Sequence, residues 1–419
     1  MRIMLANAAF HGIGGSETYL ATLAENLVRL GHDVRIYTRL AGDMAMLARR
    51  RGIEVVDSVN DLGEPADAVL SQDGIVAHDL AAAWPQVPQA FVCHSSLFDV
   101  QQPPLVPGIA STVIVLNDRV GRRIEALNAD LPVVRLRQPI DTQRFSPRST
   151  PGARPARALL LSTYLDGAQR RALEEAWGAA GVELVSLGID EVDLAPEIKM
   201  GHVDIVVGKG RAVLEGMSCG RAAYLYDSFG GDGWITPDTY PLIEADGLSG
   251  QLGERGLDAQ RLRADIDAYD ADWGRLGREL VLRHHDARHH AHEVLHVLTG
   301  LGVGHHRPAT LESELARQIQ LRWGADAELF GMRAEMRRVE ARADESVARA
   351  DEAVVRAGHE VEVARRETAH TRHELAEVST ELDKVRDRLD EIQQRNRRLR
   401  RRLRREGAYL GSAETEDEE

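Results

Sequence analysis

The sequence has no long apolar run, only two cysteines and no excess of positive charge. No stretch of its 419 residues approaches the roughly 20 apolar residues that span a bilayer, which argues against a membrane helix. Cys93 and Cys219 are far apart in sequence, so we expect no disulfide framework and a reducing compartment. The net charge of −14 argues against a nucleic-acid partner. These absences together predict a cytoplasmic protein.

Short apolar segments and helical segments alternate twice along the first 300 or so residues. The first alternation occupies residues 1–145 and begins with a strand at Ile3–Ala6. It restarts at Ala158–Ser162 and continues through residues 157–300, after a proline-rich linker at 146–156. Further strands are predicted at Val34–Thr38, Ile53–Val56, Ala68–Ser71, Ala90–Cys93, Thr112–Leu116, Val182–Leu187, Asp204–Val207 and Ala222–Tyr226. This pattern predicts an α/β protein with two Rossmann-like, doubly wound domains.

The composition changes at about residue 311, where glycine and proline nearly vanish. Residues 347–403 follow an unbroken heptad repeat with valine, alanine and leucine at most core positions. The repeat predicts a coiled coil over 311–405, with a four-residue stutter at 343–347. Asn396 at a core position favours a parallel homodimer, while the alternative is a lone charged helix.

The end of the predicted coiled coil is rich in arginine. Residues 395–405 contain eight arginines, and residues 406–419 form an acidic tail that we expect to be disordered. The arginines would suit an anionic membrane surface, which would place the protein at the inner face of a membrane. The plainer alternative is a solvated helix end on which the acidic tail folds back.

Two glycine-rich loops each follow a predicted strand and open a helix. One is Gly12–Glu17, and the other is Gly208–Gly210. Glycines let the backbone approach a phosphate closely, and a helix N-terminus adds positive potential. Two such loops on separate domains predict a ligand held in a cleft between them. For the first loop, the alternative is a tight turn only, because the third glycine of the dinucleotide fingerprint is missing.

Charged residues flank the second loop. Lys209 and Arg211 could clamp a diphosphate, while the loop amides of Gly208 and Gly210 donate to its oxygens. Glu215 follows one helical turn later, where a carboxylate can accept both hydroxyls of a ribose. The alternative is that the two cations are solvent-exposed and that Glu215 pairs with Arg211 at i,i+4.

The sequence resembles the nucleotide-sugar-dependent glycosyltransferases of the GT-B fold. It is most similar to the large retaining family that includes sucrose-synthase-like and mannosyltransferase-like enzymes. The resemblance covers about residues 1–300. It rests on GGSETYLATLAENLVRLGHDV (14–34), FVCHSS (91–96), QPIDTQRFSP (138–147), LEGMSCG (214–220), and a glycine pair followed by IEADGLSG (243–250).

The resemblance implies sugar transfer, with retention, from a nucleotide sugar to a glycan or lipid-linked acceptor in glycan or cell-envelope assembly. It implies no metal and no cofactor beyond the donor. The implied catalytic residues are His94 near the donor sugar, and Lys209 and Arg211 on the departing diphosphate. The expected donor-binding residues are Gly14, Gly15, Glu17, Gly208, Gly210, Glu215, Gly230 and Gly231.

Departures from that family favour a second hypothesis, an inactive sugar-nucleotide-binding scaffold dimerised by its coiled coil. The Arg-Lys pair expected after the first strand of the second domain is missing from STYLDGAQRR (162–171). Val207 stands where the family often has a second glutamate, and residues 138–141 read Gln-Pro-Ile-Asp instead of Asn-Gly-Val-Asp.

A third hypothesis comes from HEVLH at 292–296, which matches the HExxH pattern of zinc peptidases. His292 and His296 would share one helix face, as zinc ligands require. The extended pattern fails, because Thr299 and Gly302 replace a glycine and a third histidine. We interpret the segment as a solvated helix and expect no metal.

Overall fold

The computed structural model describes residues 1–95, 99–127, 130–162, 165, 167–187, 193, 195–227, 230–253, 259–302 and 311–411. Residues Met1–Leu321 form one compact unit, and Arg322–Glu419 form another. The part of the predicted acidic tail after residue 411 lies outside the described residues.

The first unit contains a seven-stranded sheet, a five-stranded sheet, a separate two-stranded sheet and the helices that pack on them. Its strands are β1 (Arg2–Ala6), β2 (Ala9–Phe10), β3 (Asp33–Tyr37), β4 (Leu40–Ala41), β5 (Glu54–Val56), β6 (Ala68–Ser71), β7 (Gln89–Cys93), β8 (Thr112–Val115), β9 (Val133–Arg135), β10 (Arg157–Leu161), β11 (Glu183–Leu187), β12 (Ile205–Gly208), β13 (Ala222–Asp227) and β14 (Gly230–Trp234). Its helices are α1 (Gly15–Arg29), α2 (Asp43–Arg50), α3 (Gly74–Ala83), α4 (Asp118–Glu125), α5 (Gly167–Gly178), α6 (Pro196–Met200), α7 (Arg211–Ser218), α8 (Tyr240–Ala245), α9 (Ala259–Asp267), α10 (Asp272–His284) and α11 (Ala287–Thr299). Short 3₁₀ turns lie at Val59–Asp61 and Asp99–Gln101.

The first sheet has seven parallel strands in the order β5-β3-β1-β6-β7-β8-β9. Leu5 and Leu70 pack into a core with α1 on one face, while Met4 and Val69 pack into a second core on the other face. A parallel sheet covered on both faces requires nearly continuous apolar strands, which is the pattern in the sequence. The predicted parallel α/β architecture is confirmed here.

The second sheet has the order β11-β10-β12-β13-β14, and only β14 runs antiparallel. Every strand predicted from the sequence is present, with bounds that differ only at terminal residues. The edge strands β9 and β14 were not predicted. β14 reads Gly-Gly-Asp-Gly-Trp and therefore lacks the apolar pattern that marks the other strands.

Helix α11 follows the second sheet in sequence but packs on the first. Its buried residues Ala291, Val294 and Leu298 belong to the same apolar core as Leu5 and Leu70. Helix α10, immediately before it, packs instead on β13 and α7 of the second sheet. The chain therefore returns to the first sheet at residues 285–286.

Backbone pairing holds this return. The N–H of Ile140 donates to the carbonyl of His285 at 2.7 Å, and the N–H of Ala287 donates to the carbonyl of Ile140 at 2.9 Å. Asp286 caps α11, and its other oxygen accepts the Thr142 hydroxyl at 2.6 Å. The two places where the chain passes between the sheets are thus hydrogen-bonded to each other.

His285 is buried at this junction as a neutral imidazole. Its Nδ1 lies 2.7 Å from the carbonyl of Gln138, and its Nε2 lies 2.8 Å from the hydroxyl of Tyr240. A carbonyl can only accept, so Nδ1 carries the hydrogen and Nε2 accepts from the tyrosine. Burial lowers the pKa of His285 to about 3, which keeps the imidazole uncharged.

The proline-rich segment predicted as a linker is fastened to the second sheet. The carboxylate of Asp204, just before β12, accepts backbone N–H groups of Gly152 at 2.8 Å, Ala156 at 2.8 Å and Arg157 at 3.1 Å. Three donors on one carboxylate hold the end of this segment in place.

Helix α12 (Leu311–Gly411) is 101 residues long and is continuous through the predicted heptads. In the single chain its large apolar heptad-core residues between Val347 and Leu403 are 47–70% exposed. No described helix combines the length and apolar character that crossing a membrane requires.

Gly274 is the position where this fold tolerates an added methyl group least. A Cβ there would lie 2.8 Å from the carbonyl carbon of Gly220 and closer still to its oxygen. We expect Gly274→Ala to lower the free energy of unfolding of the first unit by about 1–3 kcal/mol. Gly178→Ala, whose Cβ would meet nothing within 4 Å, is the control in urea denaturation. Equal stability losses in both variants would contradict the packing of α10.

Candidate functional site

Three polar side chains meet at the carboxyl end of the second sheet. Ser162 follows β10, Lys209 follows β12 and Asp227 ends β13. The Ser162 hydroxyl donates to the buried Asp227 carboxylate at 3.2 Å, and the Lys209 ammonium lies 3.5 Å from the same oxygen. Gly230 pairs with Asp227 in the β13–β14 ladder. The predicted glycines Gly230 and Gly231 therefore lie at the same end of the sheet as Asp227. Ligands of open parallel sheets bind at this end of the strands.

The loop between β12 and α7 is shaped by its two glycines. A Cβ on Gly208 would lie 2.6 Å from the carbonyl oxygen of Leu161, so only glycine fits the end of this strand. Gly210 has φ of +56°, in the region that favours glycine. Its N–H donates to the carbonyl of Leu248 at 2.9 Å. This amide is therefore used within the fold, whereas the sequence-based prediction assigned it to a phosphate.

Arg211 joins three parts of the first unit. Its Nε donates to Glu215 at 2.6 Å, its Nη1 to the carbonyl of Pro139 at 2.8 Å, and its Nη2 to the hydroxyl of Thr22 at 3.2 Å. Arg211 and Glu215 thus form the i,i+4 ion pair that the sequence offered as the alternative. Burial raises the pKa of Glu215, and the Arg211 charge opposes that shift. Roles in holding a diphosphate and a ribose stay predictions for these residues.

The first glycine loop precedes α1. Gly14 has an extended backbone, and its carbonyl accepts the Thr18 hydroxyl at 2.7 Å. Gly15 begins the helix, and the Glu17 carboxylate in its first turn accepts the Ser16 hydroxyl at 2.9 Å. A carboxylate there complements the helix dipole. It also places negative charge where the sequence predicted a diphosphate.

His94 follows β7 and packs against Tyr19. The two ring centroids are 4.8 Å apart in an edge arrangement, and the Tyr19 hydroxyl lies 2.9 Å from Nε2 of His290 on α11. Nε2 of His94 is buried and has no hydrogen-bond partner among the described residues. Burial lowers the pKa of His94 to about 4. The imidazole is therefore a neutral hydrogen-bonding group at the sheet edge.

Two further residues at this edge were missed by sequence reasoning. Asn7 and Gln72 directly follow β1 and β6, and β6 lies between β1 and β7 in the sheet. Side chains alternate along a strand, so Asn7 and Gln72 continue the α1-covered face of Leu5 and Leu70. By the same alternation His94 continues the face of Val92. We call Asn7, Gln72 and His94 the polar trio.

The polar trio shares one property, which is buried hydrogen-bonding capacity without a partner in the described structure. Nδ2 of Asn7 and both Nε2 and Oε1 of Gln72 lack partners, as does Nε2 of His94. Gln72 is only 1% exposed. A polar residue directly after an apolar strand was the visible signal, but its unpaired state depends on neighbours far away in sequence.

A cavity of about 470 Å³ lies where α8, α10 and α11 meet the end of β9. Arg135 at its wall bridges the two sheets, since it donates to Glu244 at 2.7 and 2.8 Å and to Asp118 at 3.1 Å. None of the predicted site residues line this cavity. It is a separate feature of the junction.

The HEVLH segment forms part of α11. His292 and His296 are exposed, while the apolar residues between them pack on the first sheet. Within the described ranges, no group of three or more His, Cys, Asp or Glu side chains is placed to hold a metal ion. His305 and His306 lie outside those ranges.

Comparison with known proteins finds solved structures that are similar to this chain in fold. No protein-family model matches the sequence, and no curated protein is significantly similar to it. The structure of Anabaena HepE in complex with UDP and glucose is 14% identical, with 72% of this chain and 100% of HepE covered and a TM-score of 0.52. HepE in complex with UDP-glucose gives the same values. MurG of Acinetobacter baumannii is 16% identical over 71% of this chain and 99% of its own, with a TM-score of 0.40.

The likeness to HepE shows a shared fold at low sequence identity. It confirms the GT-B fold expected from the sequence.

We expect the His94 imidazole to stay neutral between about pH 8 and about pH 5. Its pKa falls from 6.5 to about 4 on folding, so the unfolded chain takes up the proton first and the fold loses stability as the pH drops from about 6.5 to about 4. NMR of histidine-labelled protein measures this directly, and His94→Asn identifies the signal. A titration midpoint above about 6 would contradict the burial described here.

Proposed function

We propose that the protein is a glycosyltransferase that moves a hexose from a nucleotide sugar to an acceptor hydroxyl. The observation that carries this proposal is the fold shared with HepE, whose structures contain UDP with glucose and UDP-glucose. Supporting it, the carboxyl ends of both sheets carry polar groups, with Lys209 on one and the polar trio on the other. UDP-glucose is the first donor to test.

The proposed reaction retains the anomeric configuration. The departing phosphate accepts the proton of the acceptor hydroxyl, and Lys209 stabilises its charge. Arg211 would join Lys209 only by exchanging its bonds to Glu215, Pro139 and Thr22. His94 acts as a neutral group beside the donor sugar. We propose a glycan or lipid-linked acceptor, a cytoplasmic location and no metal requirement.

The engagement of Arg211 also favours the second hypothesis, a sugar-nucleotide-binding scaffold. All three guanidinium nitrogens of Arg211 donate hydrogen bonds to groups within the protein. A guanidinium that is hydrogen-bonded within the protein stabilises the negative charge of a departing diphosphate less than one that faces the ligand. Binding of the donor without turnover would support the scaffold.

We further propose that α12 pairs with a second copy in parallel. Its heptad-core residues are exposed in the single chain. In a parallel pair, residues that flank the core lie opposite each other five positions apart. This alignment opposes Glu360 to Arg365, Glu367 to Arg372 and Glu381 to Arg386 of the second copy.

The same alignment opposes like charges at the arginine-rich end. Arg395 meets Arg400 of the second copy, and no acidic residue lies between Ile392 and Arg405. Like charges at this spacing repel unless an anion lies between them. We therefore propose that residues 395–405 contact an anionic membrane surface.

UDP-glucose should raise the melting temperature of the full chain, because a ligand that binds only the folded state stabilises it. If Glu215 holds the ribose, Glu215→Gln should weaken binding about tenfold, or about 1.4 kcal/mol. Glu197→Gln is the matched control, since Glu197 is a buried carboxylate that accepts from Arg144 at 3.0 Å. Release of UDP to an acceptor separates transfer from mere binding. No shift with any nucleotide sugar in a panel would overturn both hypotheses.

Oxidation of a single introduced cysteine tests the coiled coil. Leu382→Cys should form a disulfide-linked dimer, because residue 382 faces its own copy in a parallel, in-register pair. Thr380→Cys, on the outer face of the same helix, should remain unlinked. The native cysteines are both buried and should not interfere. A chain that sediments as a dimer without linkage at 382 would indicate another register or an antiparallel pair.

A further inference from the structure

We propose that the polar trio binds the uncharged hydroxyl groups of a sugar ring and selects against a ring that carries a carboxylate or phosphate there. This inference rests on the proposed function and adds residues and a ligand chemistry to it. The ring belongs either to the donor or to the acceptor, and the experiment below distinguishes the two.

The first argument is position. β1, β6 and β7 are adjacent in the centre of the first sheet, and the polar trio occupies the first residue after each of them. By the alternation of side chains, all three continue the face that α1 covers, since Leu5, Leu70 and Val92 belong to the core packed against α1. Three neighbouring strands thus carry polar residues at the carboxyl end of the sheet, where ligands of such sheets bind.

The second argument is the unpaired state of these groups. Buried polar groups are nearly always hydrogen-bonded in folded proteins, so an unpaired one requires an explanation, and a bound ligand that completes the bonding is one such explanation. An incorrectly oriented amide does not explain Gln72, because both its oxygen and its nitrogen lack partners in the described structure. Gln89, equally buried one strand away, differs from Gln72 in one atom, since its Nε2 donates to the carbonyls of Ala77 and Ile109 and only its Oε1 lacks a partner in the described structure.

The third argument is charge. Two amides and a neutral imidazole offer both donors and acceptors, which matches a hydroxyl group because it also donates and accepts. The carboxylates nearby are Asp73, which accepts the N–H groups of Ala8, Ile75 and Val76, and Glu17 in the first turn of α1. The carboxylate of Asp73, next to Gln72 and bonded to the N–H of Ala8, disfavours an anionic ligand group beside these two residues.

The fourth argument is rigidity. The backbone N–H of Gln72 donates to the carbonyl of Ala6 at 3.0 Å, which ties two members of the trio together through β1. Tyr19 packs on the ring of His94 and is itself bonded to His290. Groups held in this way lose little freedom on binding, which favours affinity for a small neutral ring.

The test uses the full chain with UDP, glucose, glucuronate and UDP-glucose as probes. With UDP present, we expect glucose to bind more tightly than glucuronate. Gln72→Met should weaken glucose binding about tenfold while UDP affinity stays unchanged. Tighter binding of glucuronate would overturn the proposal.

Stability gives a readout that does not depend on any ligand. Replacing an unpaired buried amide by an apolar side chain of similar size removes a desolvation penalty, so Gln72→Met should keep or raise the melting temperature. Gln89→Met, which removes two real hydrogen bonds, should lower it by roughly 2 °C or more. Equal losses in the two variants would show that Gln72 is paired in the free protein and would overturn the proposal.

UDP-glucose identifies the source of the ring. If Gln72→Met weakens UDP-glucose but not UDP, the trio binds the donor sugar. If it weakens glucose alone, the trio binds the acceptor. Failure of the proposed function has a different signature, because UDP and UDP-glucose would then not bind the unmodified protein at all.

Discussion

The pairing of Ile140 with the turn at His285–Ala287 is the constraint on which the rest of the first unit depends. The chain passes between the two sheets near residue 140 and again at residues 285–287. The hydrogen bonds between these two segments hold each of them in position. Because the turn is held, α11 lies on the first sheet, and His290 reaches Tyr19 beneath His94. A site residue on β7 is thereby supported by a helix that follows it by almost two hundred residues. The junction also requires uncharged histidines, since a proton on His285 would leave a charge buried.

The two sheet edges differ in how their polar groups are satisfied. On the second sheet, Lys209 and Arg211 are already opposite carboxylates, so the proposed diphosphate would have to exchange with Asp227 and Glu215. On the first sheet, the polar trio has nothing to exchange in the described structure. Under the proposed function, a phosphate would replace one anion by another at little net gain, whereas a neutral ring would gain hydrogen bonds outright. We therefore expect the polar trio on the first sheet to discriminate between ligands more strongly than Lys209 and Arg211 on the second.

Much of the fold could be predicted from the sequence because buried parallel strands are apolar throughout. Strand β14 could not, since its glycines carry no such pattern. The placement of α11 could not either, because periodicity shows which face of a helix is apolar but not which sheet it covers. Among site residues, the Arg211–Glu215 pair followed from helical spacing alone. The orphaned amide of Gln72 depends on packing from several distant segments, and no local pattern records that.

Asp204 gives the junction a mechanical consequence. Because one carboxylate holds the N–H groups of Gly152, Ala156 and Arg157, the end of the proline-rich segment is fastened to the second sheet. A change in the angle between the two sheets would therefore act on the torsion angles upstream, around Gln138 and Ile140. Those angles are shared with the histidine turn that pairs with them. The crossing between the two sheets is therefore made of two chain segments joined by two backbone hydrogen bonds, not of a single tether.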